Sequence, residues 1–263
     1  MQTANPTSES VTATESFNRL LHIMDELRAK CPWDQKQTIE SLRHLTIEET
    51  YELADAILEN DMTDVRKELG DILLHIVFYA KIASETNDFN IKDVIDGICE
   101  KLIFRHPHVF GDVSVKDAED VKTNWENLKI REGNKSILAG VPKSLPAMVK
   151  AHRIQDKVRA VGFDWDEREQ VWDKIEEELG ELKVEIKQMD AEKMEAEFGD
   201  LLFSMVNAAR LYGIDPEAAL ERTNKKFIKR FNYLEEQTIK AGRPLTSMTL
   251  DEMNVIWEEA KRK

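Results

Sequence analysis

Two acidic patterns are each written twice in this sequence. The first copy has Glu49 and Glu52 three residues apart, then Glu68 and Asp71 three residues apart. The second has Glu178 with Glu181, then Glu197 with Asp200. Residues three apart share one face of a helix. In each copy 15 residues separate the inner two acids. That length lets the chain leave one helix, turn through about three to six residues and return antiparallel, so that the second pair faces the first. Four converging carboxylates repel one another. A single pair at ~5 Å, with an effective dielectric of ~20, costs roughly 3 kcal/mol. A cation removes that cost, and an all-oxygen donor set favours a hard ion, Mg²⁺ first and Mn²⁺ second. Mg²⁺ usually shares its shell with substrate phosphates, so the expected chemistry is phosphate chemistry.

An acidic pair on one helix of an acidic chain is ordinarily just solvated. Here the acids run straight into the most apolar stretches, ILLHIVFYA after Asp71 and LLFSMVNAA after Asp200, which sets them at the edge of a buried face. Gly70 and Gly199 precede the two aspartates. Glycine inside a helix costs about 1 kcal/mol relative to alanine. A close approach of an ion, a ligand or a packed helix is the expected reason for it.

The elements that must position these acids are also duplicated. Glu49, Glu52, Glu68 and Asp71 each lie 129 residues before their counterparts, and so does Asp61 before Asp190, both candidate caps of the second helix. Trp33-Asp34 resembles Trp165-Asp166, and KLIFR from Lys101 resembles KFIKR from Lys226, at slightly different offsets. Apolar residues recur at helical spacing over 42–59, 63–85, 171–188 and 191–211. Further helices are expected at 16–29, 91–104, 118–131, 216–240 and 250–261, the last opening on a capping box of Thr249 and Glu252. No alternating run suggests a sheet. Gly140, Pro142 and Pro146 interrupt the pattern between the copies. The expected organisation is therefore a disordered tail at 1–15, one helical domain at 16–131, a linker at 132–146 and a second helical domain at 147–263.

Bulk properties narrow the function. The chain has 263 residues, 41% hydrophobic and 33% charged, and a formal charge of −14. Such an acidic surface disfavours a nucleic-acid partner. A small polyphosphate differs, because it arrives with metal ions. Cys31 and Cys99 form no CxxC pair, which fits a reducing cytoplasm. The opening stretch has no basic or apolar core of a targeting peptide, and the apolar run Ile72 to Ala80 is too short to span a membrane. A di-iron bundle needs Glu-x-x-His, and none of His22, His44, His75, His106, His108 and His152 has a Glu three residues before it. His106, Pro107 and His108 read as a structural turn. P-loop, GxGxxG, HExxH and GxSxG patterns are missing.

EETYE with ELGD, and EEELGE with EFGD, resemble the ExxE and ExxD signature of the all-alpha nucleoside triphosphate pyrophosphohydrolases. The two-copy layout, CPWD at 31–34, RHPHVF at 105–110 and GFDW at 162–165 resemble the MazG family. The resemblance implies an all-α fold, two tandem copies of a MazG-like helical bundle. It implies Mg²⁺-dependent hydrolysis of standard and aberrant nucleoside triphosphates to monophosphate and pyrophosphate, with a housecleaning role, in a homodimer. It also implies that the C-terminal copy is the main catalytic one. By the resemblance, Lys174, Lys193, Lys226, Arg230 and Trp257 contact the nucleotide.

The two copies differ in a way that bears on this. Lys174 and Lys193 lie one turn before Glu178 and Glu197, whereas the first copy has Leu45 and Asp64 there. A triphosphate needs cationic donors, so the first quartet reads as a secondary metal site. Lys226 and Arg230 do have counterparts, Lys101 and Arg105; Trp257 has none and offers a ring that can stack on a base. The expected metal ligands are Glu178, Glu181, Glu197 and Asp200. Glu177, Glu178 or Glu197 is the expected proton acceptor. Two alternatives stand beside this reading: a narrower pyrophosphohydrolase, acting on dUTP or a phosphoribosyl nucleotide, and a non-enzymatic nucleotide-binding regulator.

Overall fold

A computed structural model describes residues 8–117, 120–121, 124–125 and 136–262. Among these residues the chain is helical, with no strand. It divides into two compact units between Ser114 and Val115. No helix among the described residues is long and apolar enough to cross a membrane.

The first unit contains α1 (Ser8–Lys30), α2 (Ile39–Glu59), α3 (Met62–Glu85), α4 (Ile91–Arg105) and the short α5 (Pro107–Phe110). α2 opens on a capping box of Thr38 and Ser41. It ends on Asn60 in the left-handed region at φ 56°, which asparagine tolerates better than most residues. Asp61 then caps α3 by accepting from the amides of Thr63 and Asp64. Met24, Leu42, Val77 and Phe78 form the core, joined by Phe17, Leu20, Leu21 and Leu74. Arg28 locks α1 to α3, donating to Glu85 at 2.9 and 2.6 Å.

The second unit contains a 3-10 turn (Ile137–Gly140), α6 (Ala147–Arg159), α7 (Gln170–Gln188), α8 (Ala191–Leu211), α9 (Pro216–Lys240) and α10 (Leu250–Ala260). The helical pair repeats the first design. α7 ends on Met189 at φ 60°, and Asp190 caps α8. Val171, Ile175 and Ala208 form its core with Leu201 and Leu211. Thr249 and Glu252 make the expected capping box on α10.

The structure corrects four local expectations. The turn between paired helices is two residues, Asn60-Asp61 and Met189-Asp190. One left-handed residue followed by a cap reverses the chain without a longer loop. α1 begins at Ser8, so 8–15 are helical: once Phe17 to Met24 are packed, extension backwards needs only backbone bonds. α6 was not anticipated; Pro146 stands at its N-cap, one residue outside the helix, where its missing N–H interrupts no helical hydrogen bond. Finally, a Cβ on Gly70 or Gly199 would meet no protein atom within 4 Å, so packing against a helix of its own unit demands neither glycine. Most of the helix expected at 118–131, and residues 132–135 of the expected linker, lie outside the described residues.

Candidate active site

α7 carries a buried stripe of Val171, Ile175, Glu178 and Leu182, spaced as one helical face requires. Glu178 is therefore forced inward among apolar neighbours, at 6% exposure. Glu181 lies three residues on, about 60° round the helix at 100° per residue, and is exposed. α8 sets Glu197 and Asp200 opposite. Glu178, Glu197 and Asp200 each offer an oxygen, all within 4.8 Å of one another. The first copy does the same with Glu49, Glu68 and Asp71, while Glu52 is exposed. Three acids of each quartet thus converge on one point, and Glu52 and Glu181 stand outside the trios.

Their fields still reach inward. Burial and then the charges of Glu181, Asp200, Glu178 and Glu185 push the Glu197 carboxyl above its ordinary range. Burial and then Asp71, Glu52, Glu68 and Glu48 do the same to Glu49. One oxygen in each trio, Oε2 of Glu197 and Oε2 of Glu68, is buried without a hydrogen-bond partner. Buried carboxylate oxygens ordinarily have one. A divalent cation supplies what both orphans lack, and the all-oxygen set suits a hard ion. The residues fit such an ion in both copies.

The cations differ between copies. Lys174 Nζ lies 2.8 Å from Glu177 Oε1 and 2.8 Å from Glu178 Oε1. Its bonds to Glu177 and then Glu178 raise its pKa. Lys193 is looser, 3.5 Å from Asp190 and 3.9 Å from Glu185. In the first copy Leu45 instead joins the core, and Lys67 reaches Glu68 at 2.9 Å.

A cavity of about 520 Å³ opens beside the second trio and is lined by Lys174, Glu178 and Asp200. Its other walls come from α6, from the GFDW loop and from α8: Ile154, Val158, Phe163, Trp165, Phe203 and Asn207 among them. At its far end Arg210 donates to Asp164 at 3.0 and 2.5 Å and to Asn207 at 3.0 and 2.7 Å. Sequence reasoning missed Gln155, Ser204, Asn207 and Arg210. Asn207 and Arg210 lie at helical spacing from Asp200, which was the available signal. Lys226, Arg230 and Trp257 do not line this cavity. They lie on α9 and α10, where the Trp257 ring meets Phe227 at 4.9 Å and the Arg230 guanidinium at 5.9 Å.

The comparisons with known proteins agree with the repeat. The family model described as the MazG nucleotide pyrophosphohydrolase domain matches residues 37–110 and 167–234. The chain is 42% identical to the nucleoside triphosphate pyrophosphohydrolase of Escherichia coli (strain K12), over 94% of this chain and 97% of that protein. It is 45% identical to the nucleoside triphosphate pyrophosphohydrolase/pyrophosphatase MazG of Thermotoga maritima, over 93% of this chain and 95% of that protein. It is 46% identical to the uncharacterized protein YabN of Bacillus subtilis, over 97% of this chain but 54% of that longer protein.

Proposed function

The chain belongs to the MazG nucleotide pyrophosphohydrolase family and is a nucleoside triphosphate pyrophosphohydrolase; from that premise we propose that its second copy does the chemistry, with Mg²⁺, on a broad range of ribo- and deoxyribonucleotides in a housecleaning role. The observation that carries the assignment is the cavity of about 520 Å³ that shares Glu178 and Asp200 with the acidic trio and is also lined by Lys174. At the 129-residue offset the first copy has His75 and Phe78 where the second has Ser204 and Asn207. Phe78 belongs to the core of its unit, whereas Asn207 lines the cavity.

Glu178, Glu197 and Asp200 would hold the cation, with Glu181 beside them. When bound, it polarises the α-phosphate and acidifies the attacking water. Water adds to the α-phosphorus, the bond between the α-phosphorus and the bridging oxygen breaks, and pyrophosphate leaves. Glu177 is exposed yet held by Lys174 at 2.8 Å; it, Glu178 or Glu197 takes the proton of the water. Lys174 and Lys193 stabilise charge on the departing pyrophosphate. Lys226, Arg230 and Trp257 form a second group of nucleotide contacts, from α9 and α10.

A homodimer suits the apolar face of α8, where Phe198, Leu202 and Met205 are about half exposed. The two free cysteines suit a reducing cytoplasm. The test is a panel of nucleoside triphosphates, including dUTP, scored for pyrophosphate release with Mg²⁺, Mn²⁺ and chelator. Release from many bases supports the broad reading. Release from dUTP alone replaces it with the narrower one. Turnover lost in Glu68→Ala and kept in Glu197→Ala reverses the choice of copy.

A further inference from the structure

The two helices that carry the second acidic site pair residue by residue about their turn. Glu178 and Asp200 each stand 11 residues from Met189, Glu181 and Glu197 eight, and Glu185 and Lys193 four. An antiparallel pair joined by so short a turn sets equidistant residues at the same level. Glu185 and Lys193 therefore form the next rung beyond the acids, and Lys193 Nζ lies 3.9 Å from Glu185 Oε2. The first copy has the same acidic rungs about Asn60, but Ala56 and Asp64 stand on the next one. Ala56 is buried there at 6% exposure. The second copy thus sets a carboxylate where the first packs a methyl group, and a lysine stands opposite it.

That carboxylate is costly to keep. The Glu185 side chain is 16% exposed, and its Oε2 is buried with no hydrogen-bond partner among the described residues. A buried acceptor left unpaired destabilises a fold. Lys193, by contrast, is 60% exposed and has a competing partner, Asp190 Oδ2 at 3.5 Å. Asp190 caps α8, so it draws the ammonium toward the turn and away from Glu197. Glu185 draws it back to the level of the site.

We propose that Glu185 is a positioning residue for the reaction, holding the Lys193 ammonium beside the acids where the leaving pyrophosphate meets it. The inference rests on the hydrolase reading above, in which Lys193 stabilises charge on that group. In this role Glu185 touches neither metal nor substrate. At 3.9 Å it attracts the ammonium without a hydrogen bond to break, so Lys193 can turn to an arriving phosphate.

A double-mutant cycle on the full chain tests this, with Glu185→Ala, Lys193→Met and the two combined. Glu185→Gln is added as the variant that keeps the shape and removes the charge. Pyrophosphate release from a nucleoside triphosphate with Mg²⁺ gives kcat, and dissociation constants for inorganic tripolyphosphate with Mg²⁺ give binding without turnover. Because the first copy packs alanine at this place, Glu185→Ala is expected to melt no lower than the wild-type chain. Lys193→Met is expected to lower kcat roughly 10²-fold. Glu185→Ala and Glu185→Gln are each expected to lower kcat roughly tenfold and tripolyphosphate affinity roughly threefold, since the charge that Lys193 meets is largest in the transition state. In the Lys193→Met chain the further change Glu185→Ala is expected to cost less than about twofold, because no ammonium is left to place. Losses that multiply overturn the proposal, as does wild-type turnover in Glu185→Gln or in Lys193→Met. If the wild-type chain releases no pyrophosphate, yet Glu185→Ala weakens tripolyphosphate only while Lys193 is present, the hydrolase reading falls and the placement of Lys193 stands.

Discussion

The ammonium of Lys174 lies 2.8 Å from the buried carboxylate of Glu178. The contact joins a phosphate-binding cation to a metal-binding anion, and each can be drawn off by its own part of a magnesium–triphosphate complex. Lys174→Met is therefore expected to lower kcat by roughly 10²-fold, the usual loss for one donor to developing charge. Lys67→Met, at the ion pair of the first copy, is expected to leave turnover within about twofold, since an exposed cation contributes little. Steady-state pyrophosphate release measures both. Equal losses would mean that both copies work.

Metal and acid should act oppositely on the second trio. Burial, then Glu181, Asp200, Glu178 and Glu185, raise the Glu197 pKa above its unfolded value of 4.5. Between those two values the folded chain holds the proton more tightly, so this group's contribution to stability is present below pH 4.5 and lost as pH rises through the folded pKa. At neutral pH the metal-free chain carries that penalty. Glu197→Gln is expected to raise the melting temperature in chelator and to shrink the further rise produced by Mg²⁺. Calorimetric melts with and without Mg²⁺ check it, and a variant that melts lower in chelator refutes it.

Met189 ends α7 in the left-handed region at φ 60°, with 78% of its surface exposed. It pays for that conformation without packing in return. The first copy has Asn60 at the same place, at φ 56°. Met189→Asn is expected to stabilise the second unit by about 0.5–1 kcal/mol. Denaturant unfolding gives the number, and an unchanged or lower midpoint contradicts it.

Glu252 serves both the cap of α10 and an ion pair. Its Oε2 accepts from the amide of Thr249 at 2.8 Å, and Arg243 donates to Oε1 at 3.0 Å. The bond to Arg243, then that to Thr249, holds its pKa down to about 2. A depressed carboxylate supports the fold above its unfolded pKa of 4.5 and loses that support as pH falls toward 2. Arg243→Ala should move the Glu252 titration back toward 4.5, as read by side-chain NMR. A titration near 4.5 in the wild-type chain would show that the pairing does not hold.

Much of this was legible beforehand because it is periodic. Asp61 and Asp190 cap their helices as their type suggests, and the paired acids face one another because three residues on a helix leave side chains close in angle. The exceptions have local causes. Glu52 and Glu181 stand outside the trios because three residues turn them about 60° round the helix from Glu49 and Glu178. α6 was hidden by Pro146, which punctuates a helix at either end and can be read both ways. Gln155 carried no signal at all, since α6, the helix that brings it to the cavity, was itself unanticipated.

The sequence by itself determined that this chain is helical and duplicated, and that it places matched carboxylates beside apolar faces, since these follow from spacing and residue type alone. It also distinguished the copies by the lysines beside those acids. Only the tertiary structure decided that three acids of each four meet, that two of their oxygens are left unpaired, and that the second trio opens on a cavity. A cavity is a property of what side chains from separate helices fail to fill. Phe78 fills the core of the first copy, and Asn207 at the same position lines a cavity in the second.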